Sequence, residues 1–292
     1  MIAYSPFVSV IIPIYHDWDR LQLCIDGLRK QTYPKDLFEV IIINNDPGDH
    51  PKNLHLLENS SLLSESKPGS YAARNTGIAV AKGEILAFTD SDCIPTPKWL
   101  ENGVFEISQG IDRVAGKVEL FYNYEKLTFA EIFEKAFAFP QEGYVKSGRS
   151  CITANLITTA DAFNKVGLFN SFLLSGGDME WGWRARNLGL SIIYSPETIV
   201  FHPARCTIRE IIQKNMRVIG GLSGIYKKDD PRNRWFIAAL LPPLNKILIV
   251  RKRGDMTMGM KIIAIALAYL FELHKCGYWI ALKIGIVTPV RE

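Results

Sequence analysis

Two carboxylates stand close together directly after an apolar run of the chain. Residues 85–87 read ILA, and the segment 88–93 that follows reads FTDSDC and contains Asp90 and Asp92. In an extended segment, residues two apart point to the same side, so both carboxylates can face one divalent cation. An Asp-x-Asp pair is more often a solvated turn or cap, however, so its meaning depends on the elements that position it.

Those elements alternate between strand and helix. The runs VSVIIPIY at 8–15 and FEVIII at 38–43 predict strands, and residues 17–31 predict a helix with Asp17 as N-cap. A second helix over about 70–81 leads into the strand that delivers the acidic pair. We therefore predict an α/β fold with a mainly parallel sheet flanked by helices, which binds ligands at the carboxyl ends of its strands.

A second acidic group opens another predicted helix. The segment GGDME at 176–180 precedes a helix that runs to about Leu188 and closes at Gly189. Asp178 would lie at the helix N-terminus, where an N-cap is its plainest role, and Glu180 can pair with Arg184 one turn later.

Composition narrows the class of protein. The 292 residues, 48% of them apolar, suffice for one large α/β domain with an appendage. No Gly-x-Gly-x-x-Gly follows the first strand and no Walker Gly-Lys-Ser/Thr occurs, which removes the main support for dinucleotide or P-loop binding. Five cysteines without a Cys-x-x-Cys pair suggest neither disulfides nor structural zinc, and the N-terminus lacks a signal-like core. We expect a cytoplasmic protein.

Five segments together resemble the family 2 glycosyltransferases, which have the nucleotide-sugar-binding GT-A fold. The resemblance covers about residues 6–205 and implies a catalytic domain over 1–205, with a nucleotide-sugar half at about 1–95 and an acceptor half at about 96–205. The segments that carry it are VSVIIPIYHDWDRLQLCIDGLRKQTYP, EVIIINNDPGD, KPGSYAARNTGIAVAKGEILAFTDSDCIP, GGDMEWGWRARNLGL and IVFHPAR.

The resemblance assigns a nucleotide site to the ends of the first strands. It implies that Pro13 and Tyr15 line the base and ribose, and that Asn44 takes the place of an Asp that usually contacts the base. An amide donates as well as accepts, whereas a carboxylate only accepts, so the choice among uracil, guanine and thymine stays open. Asp46 either supplies the missing charge or is a turn residue ahead of 47–48, and we favour the turn.

The resemblance also implies a diphosphate and metal site. Lys67 and Arg74 would add positive charge where a helix start already favours anions, although a surface salt bridge is the plain alternative for Arg74. Asp92 would hold the cation, with Asp90 acting through water or the ribose. His202 would be a further metal ligand or diphosphate contact, or else a packed or solvent-facing imidazole. Mn or Mg suits such ligands.

In the resembling family the motif at 176–180 carries the catalytic base, which falls here on Asp178, while the usual preceding Glu is replaced by Gly177. The implied reaction is a metal-dependent inverting transfer of a hexosyl unit from a nucleoside diphosphate sugar, with UDP-sugar as the expected donor, to a hydroxyl of a glycan or lipid-linked glycan. A nucleotidyl- or phosphotransferase and a non-catalytic nucleotide-binding scaffold are the alternatives.

Four further side chains in the acceptor half have two interpretations each. They contact the acceptor or the sugar, or they belong to the core and satisfy neighbouring backbone groups. These residues are Trp181, Trp183, Thr153 and Asn155.

The C-terminal part is both basic and apolar. Residues 203–292 carry 16 Lys/Arg against 6 Asp/Glu, and the uncharged runs 235–245 and 262–271 flank the basic triplet 251–253. Neither run approaches the ~20 apolar residues that span a bilayer. We predict a helical region over 206–292 that lies peripherally on the inner face of the cell membrane, or else packs on the catalytic domain or on a second copy in a homodimer. Nucleic acid is not an expected partner.

Overall fold

The computed structural model describes residues 5–51, 53–122, 125–148, 150–173, 175–225 and 241–289, with the backbone alone for 222–225. The described strands are β1 (Val8–Ile14), β2 (Phe38–Asn44), β3 (Ser60–Ser64), β4 (Ile85–Thr89), β5 (Ile94–Pro95), β6 (Arg113–Phe121), β7 (Asn155–Thr159) and β8 (Ile192–Pro203). The described helices are α1 (Trp18–Arg29), α2 (Ser70–Val80), α3 (Trp99–Ser108), α4 (Phe129–Phe137), α5 (Gln141–Gly148), α6 (Ala160–Val166), α7 (Gly177–Asn187), α8 (Ile208–Ile225), α9 (Leu244–Arg251) and α10 (Met258–Lys283).

The strands form one sheet in the order β3-β2-β1-β4-β7-β6-β8-β5. Pairing is parallel from β3 through β2 and β1 to β4, and antiparallel between β4 and β7, β7 and β6, and β8 and β5. The predicted α/β fold class is confirmed, and these parallel pairings join the first four strands of that order. Because β1, β2 and β4 are parallel neighbours, their carboxyl ends meet at one edge of the sheet.

Burial explains why these segments form the centre of the sheet. Nearly every residue of β1, β2 and β4 is buried, as expected for strands covered on both faces. Helix α1 buries Leu21, Cys24, Ile25 and Leu28, which recur at helical spacing and form its apolar face. Asp17 occupies the predicted N-cap position but its side chain makes no cap hydrogen bond, and its carboxylate pairs with Arg20 at 3.1 Å instead.

Helix α2 approaches the sheet closely because it has a glycine at the contact. A Cβ atom on Gly77 would lie 2.7 Å from Ile11 and 2.8 Å from Ile43, which is closer than side chains tolerate. A larger residue there would push α2 away from β1 and β2. This contact fixes the position of the helix that contains Tyr71 and Arg74.

The chain divides into two compact units. The first comprises Met1–Glu119, Phe139–Phe172 and Gly177–His202, and the second comprises Leu120–Ala138, Leu173–Gly176 and Pro203–Glu292. The predicted site residues and all of the sheet except the last residues of β6 and β8 lie in the first unit. The second unit begins close to the predicted boundary at 205 but also includes residues 120–138, which we had assigned to the acceptor half. That assignment of halves stays a prediction.

The second unit has its own apolar core, in which α4 and α8 contact α10. Ala130, Ile211 and Phe271 form one buried cluster, and Val250 and Ala264 belong to another. Residues 235–240 of the predicted apolar run lie outside the described residues. Across the described ranges, no helix combines the length and apolar character that crossing a membrane requires.

Candidate active site

The acidic pair follows the end of β4, as predicted, but in a turn rather than in an extended segment. The strand ends at Thr89, and the Cys93 N–H donates to the carbonyl oxygen of Asp90 at 3.1 Å. The two-residue periodicity of a strand therefore does not apply, and Asp90 and Asp92 have different partners. Cys93 is fully buried and belongs to the apolar core.

Asp92 lies beside His202. The antiparallel pairing of Ile94 with Phe201 brings β8 alongside the acidic turn. The Oδ2 atom of Asp92 lies 3.2 Å from Nε2 of His202, whose side chain is 5% exposed and whose ring packs against Phe139 with centroids 4.5 Å apart. The structure thus brings together two residues that the sequence assigned to one cation.

This pair fits a divalent cation. Two ligands at right angles around an ion with bonds of about 2.1 Å lie roughly 3 Å apart, which matches the separation of Asp92 and His202. Among the described residues, no three His, Cys, Asp or Glu side chains gather into a group able to hold a metal. Asp92 and His202 would therefore supply only part of a coordination sphere, and the rest would come from water or substrate.

Asp90 pairs with Arg74, whose NH2 group contacts Oδ1 of the carboxylate. Arg74 is 3% exposed, so the surface salt bridge considered for it is wrong: the ion pair exists, but the guanidinium is buried. Within the described ranges, the Nε of Arg74 is buried without a hydrogen-bond partner. A buried N–H left unpaired costs about 1–3 kcal/mol, so this guanidinium is suited to a ligand that accepts a hydrogen bond.

Asp178 lies in the first turn of α7, one residue after the helix begins, and not at the N-cap. Its Oδ1 accepts hydrogen bonds from the Tyr71 hydroxyl at 3.1 Å and the Met179 N–H at 2.8 Å, and its Oδ2 accepts one from the Thr153 N–H at 3.3 Å. Burial raises the pKa of Asp178 above the ordinary value of 3.8, against the lowering effects of these hydrogen bonds and of Arg74. The carboxylate is thus a stronger base than a solvated one.

Helix α2 connects the two acidic groups. Tyr71 and Arg74 lie three residues apart, on one face of the helix, and both are buried. Tyr71 donates to Asp178, while Arg74 contacts Asp90. One rigid element therefore holds residues from 176–180 and from 88–93 in a single site.

The end of β2 forms a polar loop. Asn44 is buried, its Nδ2 donates to the Asp49 carbonyl oxygen at 2.8 Å, and its Oδ1 accepts from the Asp46 N–H at 3.0 Å. The Oδ1 of Asp46 accepts from the Gly48 N–H at 3.0 Å, which confirms Asp46 as a turn residue. The contact of Asn44 with a base stays a prediction, since this amide is used within its own loop.

The end of β1 adds aromatic and imidazole groups beside that loop. Pro13 pairs with Ile43 near the end of the strand, and Tyr15 just beyond it is 45% exposed and meets the His16 ring edge-on, with centroids 4.0 Å apart. The predicted contacts of Pro13 and Tyr15 with a nucleotide stay predictions. His16 has a φ of 57° and lies between Asp46 at 3.1 Å and Asp49 at 3.0 Å. We did not predict a role for His16, although its position directly after β1 is the available signal.

In the contacts described, the Lys67 ammonium group lies against Ser171 and Phe172 and not against the acidic turn. Its Nζ donates to the Ser171 hydroxyl at 2.7 Å and lies 3.8 Å from the centroid of the Phe172 ring. The predicted contact of Lys67 with a nucleotide stays a prediction. Asn45, which the sequence did not single out, joins the two loops, since its amide contacts Glu65, Lys67 and Gly69.

For two of the four side chains with two interpretations, the structure supports the core interpretation. Trp181 is 1% exposed and stacks on Phe163 with centroids 4.5 Å apart, so it belongs to the core. Asn155 is fully buried; it accepts from the Trp99 indole N–H and donates to the carbonyl oxygens of Lys117 and Thr198, each at 2.8 Å. The amide of Asn155 therefore makes its hydrogen bonds within the protein.

Three other predictions from the acceptor half have different outcomes. The predicted pair of Glu180 and Arg184 is confirmed at 2.8 Å. Thr153 contributes its backbone N–H to Asp178, and the contact of its side chain with a sugar stays a prediction. The contact of Trp183 with an acceptor also stays a prediction.

Comparison with known proteins identifies the family of this chain. The sequence model of the family described as glycosyl transferase family 2 matches residues 9–146. Glycosyltransferase AglE of Haloferax volcanii is 36% identical over 256 residues, which are 83% of this chain and 84% of that protein. A dolichyl N-acetyl-alpha-D-glucosaminyl phosphate 3-beta-D-2,3-diacetamido-2,3-dideoxy-beta-D-glucuronosyltransferase of Methanococcus voltae is 21% identical and is matched over 72% of this chain and 71% of its own.

Two solved structures share the fold. The mannosyltransferase PcManGT from Pyrobaculum calidifontis, solved in complex with GDP-Man and Mn²⁺, aligns with a TM-score of 0.54 at 17% identity, over 98% of this chain and 77% of its own. S. aureus TarS 1-349 aligns with a TM-score of 0.51 at 15% identity, over 96% of this chain and 92% of its own. The predicted GT-A fold is therefore confirmed. The chain belongs to glycosyltransferase family 2.

Proposed function

We propose that this glycosyltransferase moves a sugar from a nucleoside diphosphate donor to a hydroxyl group with inversion at the anomeric carbon, and that Asp178 is the base. Family membership sets aside the nucleotidyl- and phosphotransferase alternative. Pro13 and Tyr15 contact the base and ribose of the donor in this proposal, and Lys67, Arg74 and Asp90 lie near its phosphates and ribose.

The observation that carries the proposal is the double attachment of α2. Arg74 contacts Asp90 at the acidic turn, and Tyr71, one turn earlier, contacts Asp178. The buried, unpaired N–H of Arg74 is suited to a donor oxygen, while the raised pKa of Asp178 suits the acceptance of a proton. A donor-binding group and a base are therefore held by one helix.

The bonds and the proton of the proposed reaction balance with Asp178 as the proton acceptor. The acceptor oxygen forms a bond to C1 of the sugar while the bond between C1 and the diphosphate oxygen breaks. The electron pair leaves with the nucleoside diphosphate, and the acceptor proton moves to Asp178. Attack opposite to the leaving group inverts the anomeric centre, and the positive charge that develops on the sugar resembles that in glycoside hydrolysis.

A cation at Asp92 and His202 is the second part of the proposal. Mn²⁺ or Mg²⁺ bound there would offset the negative charge that grows on the diphosphate as it leaves. The separation of the two side chains supports it, as does the fold neighbour solved with GDP-Man and Mn²⁺.

The donor and acceptor classes form the third part. We propose a UDP-sugar as the donor. Asn44 uses one N–H and one lone pair of its amide in its loop, and an amide has one more of each, which suits the imide edge that uracil shares with thymine. We propose a glycan or lipid-linked glycan as acceptor, which is supported by the Methanococcus voltae relative whose name specifies a dolichyl-linked sugar phosphate.

Replacement of the base tests the proposal. Asp178→Asn is expected to lower turnover of the sugar nucleotide at least about 100-fold, the typical contribution of general base catalysis, with donor binding preserved. Asp161→Asn is the matched control, because Asp161 lies in the first turn of α6 and pairs only with the exposed Lys165 in the contacts described. Turnover by Asp178→Asn at the rate of this control would refute the assignment.

We further propose that the second unit binds the surface of an anionic membrane. Helices α9 and α10 expose large apolar side chains, among them Leu244, Leu248, Met258 and Ile262, next to the basic residues 251–253. Apolar side chains flanked by Lys and Arg are typical of helices that lie in the interface of a bilayer. The attraction to anionic headgroups should weaken as salt rises.

Substitutions on α9 test this surface without disturbing a core. Leu244→Glu with Leu248→Glu is expected to abolish flotation with vesicles that contain phosphatidylserine. Phe105→Glu on α3 of the first unit, 61% exposed, is the control and should leave flotation unchanged. Flotation of the double variant at the level of the control would contradict membrane binding through α9.

A further inference from the structure

Gly177 is confined by the ring of Tyr71. A Cβ atom on Gly177 would lie 2.8 Å from Cε2, 2.9 Å from Cδ2 and 3.0 Å from Cζ of that ring. The restriction is one of space and not of backbone conformation, since Gly177 is not among the glycines with positive φ. Any side chain at 177 would therefore have to displace Tyr71.

Tyr71 is held firmly in this place. It is 6% exposed, its ring packs against Phe169 with centroids 5.7 Å apart, and the guanidinium of Arg74 lies 5.8 Å from its centroid. Phe169 is itself fixed by Asn75, whose amide donates to its carbonyl oxygen at 2.9 Å and accepts from its N–H at 3.1 Å. The hydroxyl that donates to Asp178 is consequently preorganised.

We propose that Tyr71 is a positioning residue for Asp178, and that Tyr71 and Gly177 form a coupled pair in which the phenol occupies the space beside the base that a side chain at 177 would need. The inference rests on the proposed role of Asp178. It also accounts for the glycine that replaces the Glu expected from the family motif, because that Glu and Tyr71 cannot occupy the same place.

The phenol acts on the carboxylate through one directed hydrogen bond. By donating to Oδ1, it fixes the orientation of the carboxylate and stabilises the ionised form. The other groups that face Asp178 are Arg74, Tyr144 and Cys151, besides the two backbone N–H groups. The hydroxyl of Tyr71 is thus the neutral side-chain donor on the base, and its removal should make the carboxylate easier to protonate.

Tyr71→Phe removes the hydroxyl and keeps the ring that fills the space beside Gly177. We expect kcat to fall roughly tenfold or more, the value of one hydrogen bond to a charged group, while the KM for the donor changes little. The midpoint of thermal unfolding should fall by a few degrees, as it should in the Tyr33→Phe control, so the loss of kcat and not of stability distinguishes Tyr71. We also expect the acid limb of the pH–rate profile to move to higher pH. Tyr33→Phe is the matched control, since Tyr33 is a buried tyrosine whose hydroxyl donates to the Pro6 carbonyl oxygen at 2.6 Å.

Gly177→Ala tests the coupling from the other side. The added methyl group should displace Tyr71 and lower kcat, whereas Gly259→Ala, a change in the first turn of α10 with open space around it, should not. In a Tyr71→Ala background the methyl group has room, so the double variant should be no slower than Tyr71→Ala alone. Each variant is compared in kcat, in donor KM and in the midpoint of thermal unfolding.

The outcomes separate this inference from the proposed function. If Asp178→Asn is inactive but Tyr71→Phe retains the kcat and pH profile of the unmodified protein, the positioning role is refuted and the base assignment survives. If Gly177→Ala is fully active, or its loss adds in full to that of Tyr71→Ala, the coupling is refuted. If Asp178→Asn is active, the proposed function fails first. A variant of Gly177 that does not fold leaves Tyr71→Phe, which preserves packing, to decide the positioning role.

Discussion

Asn155→Ala distinguishes a structural amide from a substrate contact. Asn155 lies in β7 and binds the Lys117 carbonyl of β6, the Thr198 carbonyl of β8 and the indole N–H of Trp99. Truncation would leave those three groups buried without their partner. At about 1–3 kcal/mol for each unsatisfied buried group, and allowing for relaxation, we expect a loss of about 4 kcal/mol in the free energy of unfolding.

Such a loss is large enough to measure by thermal unfolding. At roughly 2–4 °C per kcal/mol for a domain of this size, the midpoint should fall by about 8–16 °C. Asn164→Ala, at an exposed position of α6, is the control and should shift it by little more than 1 °C. The reasoning is refuted if Asn155→Ala unfolds at the temperature of the control and yet loses sugar transfer, because Asn155 would then contact the substrate.

Two further predictions concern the cation and the second unit. Mn²⁺ with a nucleoside diphosphate should raise the midpoint of thermal unfolding by mass action, and a panel of UDP, GDP, dTDP and CMP identifies the nucleotide of the donor. Asp92→Ala and His202→Ala should each abolish the metal-dependent part of that rise. An undiminished rise in both variants would place the cation elsewhere. Burial acts to raise the pKa of Glu134, but Lys214 and Arg205 outweigh it and lower the pKa below 4.5. The ionised carboxylate therefore stabilises the fold at pH values above the pKa of an unfolded glutamate, about 4.3, and this stabilisation is lost as the pH falls through the pKa of the folded state. Glu134→Gln should therefore destabilise the protein at pH 7 and much less at pH 3, as measured by urea unfolding, and an equal loss at both pH values would contradict this.

The sequence predicts those parts of the fold that depend on local periodicity. The apolar face of α1, the buried runs of β1 and β2 and the Glu180–Arg184 pair follow from spacing within one element, and all are present. The parallel half of the sheet follows from the alternation of strand and helix. The antiparallel half does not, because the pairing of β4 with β7 joins segments whose sequences say nothing about direction.

Site geometry was predictable only where a residue directly follows a strand. Asp90 and Asp92 are in their expected place, yet their separation into two ion pairs depends on Arg74 and His202, which arrive from other elements. Asn155 illustrates the opposite failure. A polar residue at the start of a strand near the site suggested a ligand contact, but its partners are backbone carbonyls of neighbouring strands.

The role of Tyr71 could not be predicted from the sequence, for a physical reason. The hydrogen bond from its hydroxyl to Asp178 joins residues 107 positions apart, and nothing in the local pattern of α2 distinguishes a core tyrosine from one that holds a base. The signal was present at the other end of the contact, because a glycine stands where the family motif expects a glutamate. A side chain that disappears from a site leaves space, and in a close-packed interior that space must be filled. An unexpected glycine beside the proposed base therefore points to a larger side chain from another element, and here that side chain is Tyr71.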